Sequence, residues 1–166
     1  MLPLSGFFQV GYVTNDLDKA IDVYANSFGA PNFLRFDTAE ANPSGRHPSL
    51  VALAWIGSTQ IELIQPKDSD HPLYGEALPK DGFGINVHHH GYNLYGEGEW
   101  KSVMDELARQ DIRIASHTVV GDVLELVYAD TRKQLGHYAE YIWRQPKGWK
   151  FMIEDVPRND PPGHKF

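Results

Sequence analysis

The chain repeats one order of secondary structure, and this repeat limits its fold more than any other feature. Residues 7–64 predict the order strand, helix, strand, strand, strand, and residues 85–143 predict the same order again. The stretch between the copies is polar and rich in proline and glycine. We therefore expect a first βαβββ module at 1–66, a linker at 67–82, a second module at 83–144 and a tail at 145–166.

Local signals predict where these elements begin and end. Asn15-Asp16 predicts the start of the first helix and Gly29 its end, and Gly57-Ser58 predicts a hairpin turn. The predicted strands lie at 7–13, 33–36, 50–56, 60–64, 85–94, 112–118, 123–129 and 138–143, with a second helix over 100–108. In the tail we expect a short helix around 150–154, followed by an extended arm.

Polar residues occupy matching positions in the two copies. Gln9 in the first strand corresponds to His89 in the fifth, 80 residues later. Glu62 in the fourth strand corresponds to Glu140 in the eighth, 78 residues later. Gln9 and His89 are each followed, two positions on, by a glycine that shares the same strand face, which predicts close approach of another group to the backbone there.

These four residue types indicate a metal site. Glu62 and Glu140 lie in strands that are otherwise apolar, and a buried carboxylate without a partner is very costly. One divalent ion would satisfy both carboxylates. An amide oxygen, two carboxylates and an imidazole suit Zn, Mn, Co, Ni or Fe(II). Taken alone, Gln9 would be an ordinary strand residue that makes a hydrogen bond; the repeat favours a ligand.

Neighbouring polar residues divide between the two strand faces. Gln60, Asn93 and Tyr138 share the faces of the predicted ligands and are expected to line a substrate pocket, with packing an equal alternative for Tyr138. His88 and His90 lie on the opposite strand face from His89, so we expect them to have packing roles.

Composition excludes several classes of function. The formal net charge is -7, which argues against nucleic acid or an anionic membrane as the main partner. The absence of cysteine excludes disulfide scaffolds, zinc fingers, iron–sulfur clusters and thiol nucleophiles. No signal peptide and no apolar run of about 18 residues is visible, so we expect a soluble, cytoplasmic protein. Nucleotide-binding and serine-hydrolase motifs are also missing.

Four motifs resemble those of the vicinal oxygen chelate superfamily, which includes glyoxalase I, methylmalonyl-CoA epimerase, extradiol dioxygenases and bleomycin-resistance proteins. They are Gln9-Val-Gly-Tyr-Val-Thr-Asn-Asp-Leu-Asp-Lys-Ala, Ile61-Glu-Leu-Ile-Gln-Pro, His88-His-His-Gly-Tyr and Gly136-His-Tyr-Ala-Glu-Tyr. The resemblance covers nearly all of residues 7–143. It implies an α+β fold in which the two βαβββ modules form a curved eight-stranded mixed sheet around a metal-site cup.

The resemblance also implies a ligand set and a reaction. Carried over by position, Gln9, Glu62, His89 and Glu140 would hold a divalent metal, Zn, Ni, Co or Mn, with glutamine in place of the usual first histidine. The expected function is that of a metal-dependent isomerase, epimerase or lyase of glyoxalase-like type. It would act on a small vicinal-oxygen substrate through a metal-stabilised enediolate or enolate. Glu140 would transfer the proton, and Glu62 would be the second catalytic carboxylate.

Two alternatives stay open at this point. An extradiol-type dioxygenase would need Fe(II) and two histidines, and Gln9 counts against it. A metal-free small-molecule binding protein of the drug-sequestering type would have Glu62 and Glu140 exposed or paired with basic groups. Because many relatives pair and the tail is predicted to be exposed, we also expect a homodimer.

Overall fold

The computed structural model describes residues 1–41 and 47–160. Its strands are β1 (Phe7–Thr14), β2 (Leu34–Asp37), β3 (Ser49–Ile56), β4 (Thr59–Pro66), β5 (Ile85–Leu94), β6 (Ile114–Val120), β7 (Leu124–Ala129) and β8 (Tyr138–Arg144). Its α-helices are α1 (Leu17–Phe28), α2 (Thr38–Ala41), α3 (Glu97–Arg109), α4 (Arg132–Leu135) and α5 (Pro146–Trp149). A 3₁₀ turn covers Gly75–Ala77 and a π-helical turn covers Lys150–Glu154.

The strands form one eight-stranded mixed sheet in the order β2-β3-β4-β1-β5-β8-β7-β6. The pairs β2–β3, β3–β4, β6–β7 and β7–β8 are antiparallel, whereas β5 and β8 are parallel. Each long helix follows the first strand of its copy and precedes the other three. The predicted α+β class with two βαβββ repeats is therefore confirmed. Helices α2, α4 and α5 were not predicted, because a single turn leaves no periodic pattern to detect.

The chain forms two compact units. The first unit combines Met1–Gln9 with His89–Glu154, and the second combines Val10–His88 with the chain from residue 155 onwards. Strands β1 and β5 contribute residues to both units. The units are defined by contacts in space, whereas the predicted module boundaries follow the repeat along the chain, so those boundaries stay a prediction.

Each unit has its own apolar core beneath a long helix. In the first unit, Trp100, Val103 and Leu107 of α3 pack with Tyr92 of β5 and Tyr141 of β8. Their spacing of three and four residues places them on one helix face. In the second unit, the core likewise joins one face of α1 to the strands β3 and β4 through the buried residues Leu17, Ala20, Ala52, Ile61 and Leu63.

Helix α1 begins and ends where the sequence predicts. The Asp16 carboxylate accepts a hydrogen bond from the backbone N–H of Lys19 at 3.1 Å, which caps the first turn. Gly29 adopts the left-handed conformation with φ of 69°, and its backbone N–H donates to the carbonyl of Tyr24. No helix among the described residues is long and apolar enough to cross a membrane.

The predicted linker contains buried residues. Both His71 and Leu73 are buried, although they lie in the polar stretch at 67–82. The His71 ring holds this segment together: Nδ1 accepts from the backbone N–H groups of Leu73 and Tyr74, and Nε2 donates to the carbonyl of His47. Burial lowers the pKa of His71, which fits a neutral ring with this tautomer. The segment is thus an ordered part of the second unit.

The described end of the tail is extended, as predicted, but it packs on its own chain. The backbone N–H of Trp55 donates to the carbonyl of Pro157, and the N–H of Asn159 donates back to the carbonyl of Trp55. Val156 is buried beside them. Residues 155–160 therefore lie along strand β3 and do not form an exposed arm; the rest of the predicted arm lies outside the described residues.

Replacing Gly29 with alanine tests the cap of α1. A Cβ atom at Gly29 would meet no neighbouring atom. The substitution therefore lowers stability only because alanine disfavours the left-handed backbone conformation. We expect Gly29→Ala to lower the free energy of unfolding by about 1 kcal/mol, measured by urea denaturation. The matched control is Gly98→Ala, also in open space but inside α3, which should be neutral or stabilising. Equal stability of the two variants would contradict the left-handed cap.

Candidate functional site

Three of the four predicted ligands lie in the first unit, and two of them are in contact. Nε2 of His89 lies 3.3 Å from Oε2 of Glu140, and both side chains are almost completely excluded from solvent. The parallel register of β5 and β8 places Gly91 opposite Glu140 and His89 opposite Tyr138. His89 and Glu140 are therefore diagonal neighbours on one face of the sheet.

Gln9 packs against Gly91, a glycine on the sheet face of this pair. A Cβ atom built on Gly91 would lie 2.7 Å from Oε1 and 3.0 Å from Cβ of Gln9. The missing side chain at Gly91 leaves the space that the fully buried amide of Gln9 occupies. The sequence predicted a close approach to the backbone here, and the approaching group is the predicted ligand itself.

The geometry and the donor set fit a divalent metal ion. Two ligand atoms about 2.1 Å from one ion, at tetrahedral or octahedral angles, lie about 3.0–3.4 Å apart. The separation of 3.3 Å between His89 Nε2 and Glu140 Oε2 falls in this range. An imidazole nitrogen, a carboxylate and the amide oxygen of Gln9 are ligands that Zn, Ni, Co and Mn accept.

Tyr128 supports this pair, and sequence reasoning did not find it. Its ring stands perpendicular to the His89 ring with 5.1 Å between centroids, and it is the register partner of Glu140. Its hydroxyl donates a hydrogen bond to the Glu140 carboxylate. Nothing in the β7 sequence alone distinguishes Tyr128 from a core residue, because its role depends on the register between β7 and β8.

A second missed residue is Arg144, the last residue of β8. Its side chain is buried, and Nη1 donates to Oδ1 of Asn93. The guanidinium carbon lies 4.7 Å from the centroid of the Phe8 ring. The available signal was strand parity: residue 144 lies an even number of positions from Glu140, so both share a sheet face.

These neighbours control the charge of Glu140. Complete burial by itself raises the pKa of this carboxyl, but the charge and hydrogen bond of His89, the Tyr128 hydroxyl and the charge of Arg144 together lower it below its ordinary value. Glu140 is therefore ionised at neutral pH in spite of its burial. An ionised carboxylate is the form that binds metal or accepts a proton.

Two predicted residues lie in the second unit. Glu62 in β4 is buried, as the sequence predicted, opposite Leu53 of β3. Gln60 lies two residues earlier on the same face and is completely buried. Glu62 supplies a carboxylate oxygen of the kind that divalent metals bind.

The remaining predicted pocket residues are placed as follows. Asn93 is buried and holds Arg144. Tyr138 is buried, with the Tyr128 ring perpendicular to it and the Arg132 guanidinium carbon 4.5 Å from its ring centroid. Whether either residue contacts a substrate stays a prediction.

His88 and His90 have the packing roles that strand parity predicts. Nε2 of the buried His88 donates to the carbonyl of Leu73. The His90 ring lies against the His137 ring, tilted by 34° with 3.7 Å between centroids. Neither histidine is part of the group around Glu140.

Comparison with known proteins decides the family. The family model described as Glyoxalase/Bleomycin resistance protein/Dioxygenase superfamily matches residues 8–124. The chain belongs to this superfamily. The family confirms the resemblance seen in the sequence motifs and in the repeated βαβββ order.

Similar solved structures include two epimerases. Methylmalonyl-CoA epimerase from Mycobacterium tuberculosis is 19% identical with a TM-score of 0.62, over 89% of this chain and 95% of that one. A Streptomyces coelicolor methylmalonyl-CoA epimerase variant in complex with 2-nitronate-propionyl-CoA is 16% identical with a TM-score of 0.61, over 86% and 99%. A hypothetical protein from Bacillus halodurans C-125 is 14% identical with a TM-score of 0.61, over 84% and 94%. No curated protein shows significant similarity to the sequence.

The contact between Gly91 and Gln9 can be tested by a double-mutant cycle. Gly91→Ala forces a methyl group against the Gln9 amide, so we expect a loss of about 1–3 kcal/mol in the free energy of unfolding. In a Gln9→Ala background the same change should cost at least about 0.5 kcal/mol less. Gly98→Ala should change the free energy of unfolding by the same amount in both backgrounds. A Gly91→Ala penalty that does not depend on residue 9 would contradict this geometry.

Proposed function

We propose that the protein is a metal-dependent enzyme that moves a proton beside a carbonyl group: an isomerase, epimerase or lyase of glyoxalase-like type. The observation that carries the proposal is the buried pair of His89 Nε2 and Glu140 Oε2 at 3.3 Å, with the Gln9 amide packed over Gly91. A buried carboxylate facing an imidazole at the separation of two metal ligands is hard to explain by packing alone.

The proposed ligands are Gln9, Glu62, His89 and Glu140. Glu62, His89 and Glu140 are all buried, and each has a side-chain atom that can coordinate a divalent ion. The matching places of these residues in the two sequence copies support a shared site. A divalent ion, which we propose to be Zn, Ni, Co or Mn, would supply Lewis-acid stabilisation of the enediolate or enolate that forms when the proton leaves.

Glu140 is the proposed proton-transfer residue, and Glu62 is the second catalytic carboxylate. Glu140 is ionised, so it can accept a proton from carbon. The hydrogen bond from Tyr128 fixes one side of the carboxylate, and the packing of both residues excludes water. A group held in this way loses little orientational freedom in the reaction.

The similar epimerases share the fold of this chain and leave its substrate open. At 16–19% identity these likenesses show the fold alone, so the CoA part of their ligands is not carried over. We propose a small substrate with oxygen atoms on neighbouring carbons. Of the two alternatives, Gln9 in place of a histidine disfavours the extradiol dioxygenase.

A metal-free binding protein is the second candidate, and one observation favours it. Glu140 lies close enough to Arg144 for the guanidinium charge to lower its pKa, and such pairing with a basic group is what a metal-free site would need. An activity that depends on metal would favour the enzyme over this candidate.

Solvent-hydrogen exchange tests the proposed activity. Small 2-oxo, 2-hydroxy and epimerisable carboxylic acids are incubated with the protein in D₂O, and deuterium at the carbon beside the carbonyl is followed by NMR. We expect exchange that a chelator abolishes and added metal restores, and a loss of about 100-fold or more in Glu140→Gln, because an amide cannot accept the proton.

The matched control is Glu97→Gln, which changes an exposed glutamate at the start of α3 and should keep full activity. Exchange that survives both the chelator and Glu140→Gln would contradict the proposal.

A further inference from the structure

A cavity of about 300 Å³ lies in the first unit, beside the start of helix α3. Its walls are the chain before β1, the end of β5 with the residue that follows it, and the first turns of α3. All of its lining residues belong to the first unit, and neither His89 nor Glu140 is among them. An inference about this cavity therefore does not rest on the proposed metal site.

The end of β5 gives this cavity a hydrogen-bond donor. Asn93 is 7% exposed, and its backbone N–H donates to the carbonyl of Gly6 at 2.8 Å. Its side-chain oxygen accepts from the Arg144 guanidinium, which can only donate, so this contact fixes the orientation of the amide. The NH₂ group of Asn93 has no hydrogen-bond partner among the residues that the structure describes. This donor is left for a ligand in the cavity that Asn93 lines.

The first turn of α3 gives the cavity an acceptor. Oε2 of Glu99 accepts from the backbone N–H of Tyr95 at 2.8 Å, which holds the side chain in place. Oε1 has no hydrogen-bond partner within the described part of the chain. The positive end of the helix dipole offsets part of the carboxylate charge. Ser5 and Ser102 also line the cavity, and their hydroxyls can both donate and accept.

Tyr95 gives the cavity an exposed aromatic wall. This residue is 68% exposed, and it lines the cavity. The ring of the half-buried Trp149 lies beside it, tilted by 52° with 6.1 Å between centroids. An aromatic ring with this much solvent contact gains from burial under an apolar ligand surface.

We infer that this cavity binds a neutral polyhydroxylated ring, a monosaccharide or a cyclic polyol. Each ring hydroxyl both donates and accepts, which matches a wall that offers an amide donor at Asn93 and a carboxylate acceptor at Glu99. The C–H face of such a ring is apolar and can pack on Tyr95. The volume lies at the lower end of the range for small-molecule sites, which suits a single ring. An anionic ligand would be repelled by Glu99.

Saturation-transfer NMR on the full chain tests this inference with small probes built on one six-membered ring. Methyl glucoside and myo-inositol are polyhydroxylated, cyclohexanol has a single hydroxyl, and cyclohexylamine is cationic. We expect the polyhydroxylated probes to bind more tightly than the other probes, with dissociation constants of about 1–10 mM. Few polar contacts to a small ligand give an affinity of this order.

Two variants remove the groups that the inference requires. Tyr95→Ala and Glu99→Ala should each weaken the binding of methyl glucoside about fivefold or more, because an aromatic contact or a hydrogen bond is lost. The matched controls should leave binding unchanged. Phe28→Ala removes a ring of nearly equal exposure, 69%, and Glu97→Ala removes an exposed glutamate of α3, and neither residue lines the cavity.

Ser102→Phe adds a steric test. Ser102 is exposed on α3 and lines the cavity, so a phenylalanine there should fill the cavity and abolish the binding of methyl glucoside. Thermal melting checks that each variant is folded.

Three results would contradict the inference. The first is no binding of either polyhydroxylated probe, and the second is binding that all three cavity variants leave unchanged. The third is tighter binding of another probe: cyclohexylamine would assign the cavity to a cationic ligand, and cyclohexanol would assign it to an apolar one.

Discussion

A carboxylate buried inside a sheet is the constraint on which the candidate site depends. Glu140 lies in β8 with almost no solvent contact, where an ionised group costs several kcal/mol unless its neighbours supply donors or positive charge. Its surroundings supply both: His89 and Tyr128 face the carboxylate, and Arg144 adds a positive field. Each of these contacts is set by strand register, so the stability of this unit and its proposed chemistry depend on the same pairing of β5, β7 and β8.

Glycine makes this arrangement sterically feasible. Gly91 is the register partner of Glu140, and its missing side chain leaves room for the Gln9 amide. A larger residue at this position would collide with Gln9. The Gln9 amide can therefore lie against this sheet face because one position on the face has no side chain.

The sequence predicted the parts of the site that recur in both copies. Periodicity and turn residues located the strands and long helices, and the matched positions selected Gln9, Glu62, His89 and Glu140 as the proposed ligands. Tyr128 and Arg144 escaped because each acts across strands, and no local pattern records which residues two strands bring opposite each other. Strand parity predicts that both residues are buried. Burial alone does not distinguish them from ordinary core residues. The predicted exposed tail was wrong for residues 155–160 because a single backbone pairing with β3 leaves no pattern in the sequence.

Metal content is the most direct measurement of the central claim, that these residues form a divalent metal site. The full chain is purified without an affinity tag and analysed by mass spectrometry beside two double variants. One is Glu62→Ala/Glu140→Ala, and the other is Glu97→Ala/Glu154→Ala, which removes two exposed glutamates. The account predicts about one Zn, Ni, Co or Mn per chain, lost in the first variant and kept in the second. Iron in the wild-type chain would favour the dioxygenase, and no metal after reconstitution, or equal metal in both variants, would contradict the account.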